Sequence, residues 1–185
     1  VLFGYSGFGR DIAADSYGFA YVTGVSNTSN FPTTPGSLKA ATTTGDAFVT
    51  KLNRDGTGLV YSTYLGGDVA ASGTHGGEAG AGIEVDAVGN AYIVGFTSSA
   101  DFPQVSSLQP VFGGGRYDGF VAVLNASGSA LTFSTTSVPV PSLVNASARM
   151  LSVLLYEITC TRRTPPRIAS SIAFAFGSMP PFRLP

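Results

Sequence analysis

Few residues in this chain of 185 have the types and spacing that chemistry needs. The single histidine, His75, lies in Gly73-Thr74-His75-Gly76-Gly77 with no second His or Cys at metal-ligand spacing, so it reads as an exposed loop residue. The single cysteine, Cys160, stands near Arg162-Arg163, whose charges would lower a thiol pKa, yet no positioned base accompanies it. One cysteine also excludes a disulfide framework and any multi-thiolate metal site. Gly113-Gly114-Gly115 and Gly76-Gly77 lack the Lys-Ser/Thr and following helix of a phosphate cradle, and read as flexible loops. Asn27-Thr28-Ser29, Asn125-Ala126-Ser127 and Asn145-Ala146-Ser147 satisfy the glycosylation pattern, which is common by chance in a Ser- and Asn-rich chain. Arg162, Arg163 and Arg167 form too short a basic cluster for nucleic acid, and a net charge of -1 removes any general electrostatic case for it or for an anionic membrane.

Carboxylates offer more. Asp15, Asp46, Asp86 and Asp118 recur in register along the chain. Such recurrence fits turn and strand-edge hydrogen bonding better than catalysis. A calcium site would need several oxygen ligands converging on one loop, and no turn here has that density. The expectation is therefore no catalytic, cofactor-binding or metal-ligating residue, and no cofactor.

What positions these acids is an internal repeat. Gly9 to Pro32 and Gly80 to Pro103, offset by 71, share nine of 24 positions, including Ile12/Ile83, Asp15/Asp86, Gly18/Gly89, Tyr21/Tyr92 and Phe31/Phe102. Asp46 to Thr63 and Asp118 to Thr135, offset by 72, share nine of 18. Background composition would give about two matches per window.

Each copy reads as four short strands. In the first, Ile12-Ala13-Ala14 leads to Ala20-Tyr21-Val22-Thr23, and Ala47 to Leu52 leads to Leu59 to Thr63. Their connections, Asp15 to Gly18 and Asn53 to Gly56, recur as Asp86 to Gly89 and Asn125 to Gly128. An Asx side chain accepts from the backbone of the turn it opens, and a Gly three residues on takes the positive φ that closes a type I turn with a G1 bulge. Between the second and third strands run longer loops, Asn27 to Gly45 and Ser98 to Tyr117, each with Phe-Pro near its start. Pro stops the strand and holds Phe31 or Phe102 extended, so each ring is expected to anchor its loop on the sheet, with ligand contact as the alternative.

Four antiparallel strands per unit, repeated with short links, is the pattern of a β-propeller blade. The chain resembles the SBBP repeat family, the bacterial beta-propeller repeat. The resemblance rests on Asp15-Ser16-Tyr17-Gly18-Phe19-Ala20-Tyr21-Val22-Thr23-Gly24, Asn30-Phe31-Pro32-Thr33-Thr34-Pro35-Gly36, Gly45 to Asn53 and Tyr61 to Gly67. The second copy keeps Asp86 to Gly95, Asp101-Phe102-Pro103 and Asp118-Gly119-Phe120-Val121, but has Val123 where the first has Lys51. The resemblance implies an exported bacterial protein, extracellular or in the cell envelope, and no catalytic residues.

After Thr135 the family would continue Tyr-Leu-Gly-Gly, whereas this chain reads Thr136-Ser137-Val138-Pro139. From Ser137 onward there is one Gly, seven of the 11 Pro, both Met, five Arg and a single acid, Glu157. Disorder, a divergent third unit with Met150 to Thr159 as a strand, and out-of-frame translation are the three readings of this tail. The sequence thus predicts an all-β chain: a first four-stranded antiparallel blade at 1–67, a second at 68–136, and an irregular tail at 137–185.

No run reaches the roughly 18 apolar residues of a membrane span, and Val1-Leu2-Phe3-Gly4-Tyr5 shows no basic region before an apolar run, so no signal peptide is visible. Two blades leave two faces without neighbours, so the chain is expected to behave as a fragment that recruits further blades or self-associates. The leading function is a non-catalytic scaffold for protein or glycan binding or adhesion. The alternative is a piece of a carbohydrate-active or hydrolytic propeller with carboxylates converging on its channel. A non-functional gene fragment is a third reading. Because the recurring acids follow the repeat rather than break it, the scaffold is favoured.

Overall fold

The computed structural model describes residues 7–42, 45–70, 77–109, 111–114 and 116–139. Eight strands follow one another: β1 (Gly7–Ala14), β2 (Ala20–Ser26), β3 (Asp46–Leu52), β4 (Leu59–Leu65), β5 (Glu78–Val85), β6 (Ala91–Thr97), β7 (Asp118–Leu124) and β8 (Leu131–Pro139). They form two four-stranded sheets in the orders β1-β2-β3-β4 and β5-β6-β7-β8, and every neighbouring pair is antiparallel. Each sheet is the four-stranded meander of a propeller blade. β8 runs on to Pro139, pairing it with Asp118, three residues past the point where the repeat ends at 136. Ladder pairing uses the backbone, so the strand outlives the repeat's side-chain pattern. His75, Cys160, Asn145, the Arg162–Arg167 cluster and everything said of the tail after 139 lie outside the described residues.

Local chemistry makes the turns as expected. The Gly18 N–H donates to the Asp15 carbonyl at 3.0 Å, and Asp15 Oδ1 accepts from the amides of Tyr17 and Phe19. Asp86 repeats this with Val88 and Asn90. The turns at Asn53 and Asn125 are one residue longer: Asn53 N–H donates to Gly58 O and Asn125 N–H to Ala130 O, and each Asn Oδ1 accepts from two amides there. The extra residue is absorbed as a register shift between Lys51 and Leu52 and, in the second sheet, between Val123 and Leu124.

Both Phe-Pro rings are buried. Phe31 lies against Phe48 and Tyr64, with centroids 4.6 and 5.8 Å away, and Phe102 stacks on Phe120 at 4.7 Å. Past each ring the loop runs along the outermost strand. Thr34 N–H donates to Ser62 O, and Tyr64 N–H to Lys39 O; in the second sheet Val105 and Ser134 exchange both backbone bonds. These loops satisfy the free edges of β4 and β8, which would otherwise invite pairing with another chain.

The sheets stack face to face. Tyr21, Ala47, Val49, Tyr61 and Leu65 of the first share one core with Ile83, Ala91, Ile93, Phe120, Ala122 and Leu124 of the second. Gly80 leaves room for the Thr23 side chain, Asp11 Oδ2 accepts from Ile83 N–H at 2.9 Å, and Glu78 N–H donates to Gly45 O. The face of the first sheet equivalent to the covered face of the second is open by comparison. Ile12 is 64% exposed, its counterpart Ile83 2%. Ala20, Val22 and Leu52 are half-buried where Ala91, Ile93 and Leu124 are buried.

Gly56 (φ 68°) and Gly128 (φ 72°) occupy the same turn position, but only Gly128 faces the other sheet, where an added methyl would strike the Tyr61 ring. Among the described residues, a Cβ on Gly56 would meet nothing within 4 Å. Alanine at 56 therefore carries the backbone cost alone, about 1 kcal/mol. Gly128→Ala should lose at least about 1 kcal/mol more in urea unfolding, because the ring must move and the interface reopen. Equal losses at the two sites would contradict the stacking.

Candidate functional site

The tight turns lie at one end of the sheets and the long loops at the other, so the recurring acids separate into two environments. At the turn end, Asp15 Oδ2 accepts from Tyr21 Oη at 3.0 Å and lies 3.8 Å from Lys51 Nζ. Lys51 itself sits over the rings of Phe19 and Tyr21 at 4.5 and 4.7 Å. Burial pushes Asp15 upward, but the bonds from Phe19, Tyr21 and Tyr17 and the Lys51 charge outweigh it and hold the carboxyl below its usual range. Burial and the Asp15 bond raise the Tyr21 phenol, which stays protonated. Asp86 accepts from Asn90 and Tyr92 in the same manner. These acids complete turns.

The loop end is more concentrated. Asp46, fully buried at the start of β3, pairs with Lys39 Nζ at 2.8 Å. Lys39 arrives from the β2–β3 loop, where its backbone is tied to Thr63 and Tyr64. The same ammonium meets Asp68 Oδ1 at 2.9 Å and the carbonyls of Gly66 and Gly67 at 3.2 Å. Asp101, from the second sheet's loop, accepts from the amides of Asp68 and Val69 and so fixes the link between sheets. Those bonds and Lys39 outweigh partial burial and hold Asp101 below its usual range.

Glu78 opens β5 at 1% exposure, bonded to Thr97 Oγ1 at 2.6 Å. Gly66 separates it from Asp46: a methyl there would meet Glu78 Oε2 and would lie 2.9 Å from Asp46 Cγ. Desolvation raises Glu78 to about 7, with the Asp46 charge adding to it and the Ser99 and Thr97 hydroxyls and Lys39 opposing. Asp118, also buried, holds the Gly113 amide and is likewise raised by desolvation. Lys39 has no charged counterpart beside it: Gln109 N–H donates to Thr135 Oγ1 as Lys39 N–H does to Thr63 Oγ1, so a glutamine stands at that place.

Of the four recurring acids, Asp46 alone joins this cluster with Lys39 and Glu78. Lys39, Asp68 and Glu78 were not singled out by the sequence, yet a signal existed. Glu78 stands where the first copy has Gly7, and Lys39 where the second has Gln109, so both break the repeat. Chemically, the arrangement holds one ammonium shared by two carboxylates, beside a buried acid that desolvation raises to about 7. Among the described residues, no three His, Cys, Asp or Glu side chains group to hold a metal ion. No helix there is long and apolar enough to cross a membrane.

The comparisons agree with the architecture. Residues 4–32, which take in β1 and β2, match the family model described as the SBBP beta-propeller repeat. No curated protein matches the chain. The described residues are thus two four-stranded propeller-type blades, the first carrying that match.

Glu78 makes stability depend on pH. Its folded pKa, about 7, lies above its ordinary 4.5, so its contribution is complete below about 4.5 and is lost as pH rises to about 7. The loss should approach about 3 kcal/mol. Glu78→Gln should flatten urea-unfolding stability across that window and be the more stable form at pH 8; parallel profiles for the two proteins would contradict this. Lys39→Met should cost about 3 kcal/mol by stranding the Asp46 charge, whereas an unchanged midpoint would mean that the pair contributes nothing.

Proposed function

We propose that this chain is a non-catalytic repeat scaffold of a secreted or cell-envelope bacterial protein, which presents its long loops for binding to a protein or glycan. One observation carries the reading: the acids that a hydrolytic propeller would turn toward its channel are spent on structure. Asp15 and Asp86 close turns, Asp46 holds Lys39, Asp101 holds the link between blades and Asp118 holds the Gly113 amide. What the blades leave outward at the loop end are the apolar Val69, Leu108, Val111 and Tyr117, all exposed. Exposed aromatic and aliphatic loop side chains suit adhesive contact better than bond cleavage.

The alternative, a hydrolytic propeller fragment, is supported by Glu78 alone, since an acid protonated near pH 7 is what general acid catalysis asks for. Its 1% exposure places it out of reach of a sugar.

Two assays on the full chain separate the readings. Retention on a panel of immobilised glycans and envelope proteins, lowered by Tyr117→Ala and Val111→Ser, is the expected outcome. Release of nitrophenol from a panel of nitrophenyl glycosides, abolished by Glu78→Gln, would overturn it in favour of the enzyme.

A further inference from the structure

The two outward faces of this blade pair are complementary to each other, and we infer that they join head to tail between two copies of the chain. The inference rests on the reading of the sheets as propeller-type blades and names the partner that takes their outward faces. Its template is the contact already inside the chain. There, the first blade offers Tyr21 and Tyr61 as knobs, and the second blade receives them at the turn glycines Gly89 and Gly128. A Cβ on Gly89 would lie 3.4 Å from Tyr21 Oη, and one on Gly128 would enter the Tyr61 ring.

Both halves of that contact exist again at the ends. On the receiving side, Gly18 and Gly56 stand where Gly89 and Gly128 stand, with the same positive φ. Among the described residues, a Cβ on Gly18 would meet only the Arg54 side chain, at 3.7 Å, where the internal contact has Ala126, and one on Gly56 would meet nothing within 4 Å. Ile12, the counterpart of buried Ile83, is 64% exposed beside them.

On the giving side, Tyr92, Val123 and Phe133 are aligned across β6, β7 and β8, as Tyr21, Lys51 and Tyr61 are across β2, β3 and β4. Tyr92 and Phe133 thus supply the two aromatic knobs at the repeat-equivalent places. Val94, on the same face, replaces Thr23, the side chain that Gly80 accommodates, and Gly9 stands at the place of Gly80.

One bond of the template is missing and explains itself. Gly82 replaces Asp11, so the second blade has no carboxylate for the amide of a following blade. None is needed, because the Ile12 N–H already donates to its own Asp11 Oδ1 at 2.9 Å. The copy-to-copy contact therefore follows the internal one without stranding a donor, and is weaker by one charge-assisted hydrogen bond. Such a contact is heterologous: each copy uses one face to receive and the other to give, so association continues beyond two until a ring closes.

Sedimentation velocity of the full chain, of Ile12→Arg and of Phe133→Arg tests this, with Val94→Lys as a second variant of the giving face should Phe133→Arg unfold. The wild type should grow with concentration in whole multiples of the chain mass. Ile12→Arg alone and Phe133→Arg alone should each stay monomeric. Mixed together they should form one-to-one complexes and nothing larger, because only one pair of intact faces remains. A wild type that stays monomeric overturns the proposal, as does a Phe133→Arg protein that pairs with itself through its Ile12 face. Protection of the Ile83 amide from hydrogen exchange reads the internal contact separately. A monomeric wild type with Ile83 protected removes the copy contact alone, whereas an unprotected Ile83 removes the paired-blade reading and this inference with it.

Discussion

The packing of the Tyr21 face of one sheet on the Ile83 face of the next is the constraint from which most of this molecule follows. A four-stranded sheet has two faces, and its own strands cover neither. Each blade therefore needs a neighbour, and the side chains along the shared face are fitted to one. Thr23 requires glycine at 80, Tyr61 requires glycine at 128, and Asp11, at the β1 bulge, reaches across to the Ile83 amide of β5. Ile12 and Ile83 are the same residue at the same repeat position, and what separates 64% exposure from 2% is the presence of a neighbour. Burial of this kind is worth about 2 kcal/mol per large aliphatic side chain, so stability is distributed through the stack rather than held within a blade.

Polar chemistry is subordinate to that packing. Acids at the turn end satisfy turn amides, and acids at the loop end fix the chain's passage from one blade to the next. Lys39 gathers Asp46, Asp68 and the carbonyls of Gly66 and Gly67 at the point where β4 gives way to the second sheet. Glu78, placed beside this passage, is sealed by the stack and so holds its proton near neutrality. The same closure that raises its pKa keeps the carboxyl from solvent.

What was legible in the sequence was local or repeated. Asp15 to Gly18 and Asn53 to Gly56 announce their turns because the bonds involved span a few residues, and the structure reproduces all four copies. Phe31 and Phe102 are anchors for the same reason: Pro dictates where each ring begins. The two turn lengths were not legible, because the Asx–Gly spacing is identical and the difference lies in how the following strand takes up a bulge. Nor was the Lys39–Asp46–Glu78 cluster. Its members come from a loop, a strand start and the next blade, and only contact between sheets unites them. The unlike exposure of Ile12 and Ile83 belongs to the same class, since it depends on which face has company. Repeat-breaking positions, Glu78 against Gly7 and Lys39 against Gln109, were the one trace of the cluster in the linear chain.

If stability resides in the stack, damage on one side of it must be felt on the other. Native-state hydrogen exchange of Ile83→Ala reads this directly, since the lost side chain belongs to the second blade alone and should cost about 2–5 kcal/mol. The account predicts that amides of β2 and β3 in the first blade, Tyr21 and Val49 among them, lose as much protection as those of β6 and β7. Loss confined to β5 through β8, with β1 through β4 protected as before, would contradict it.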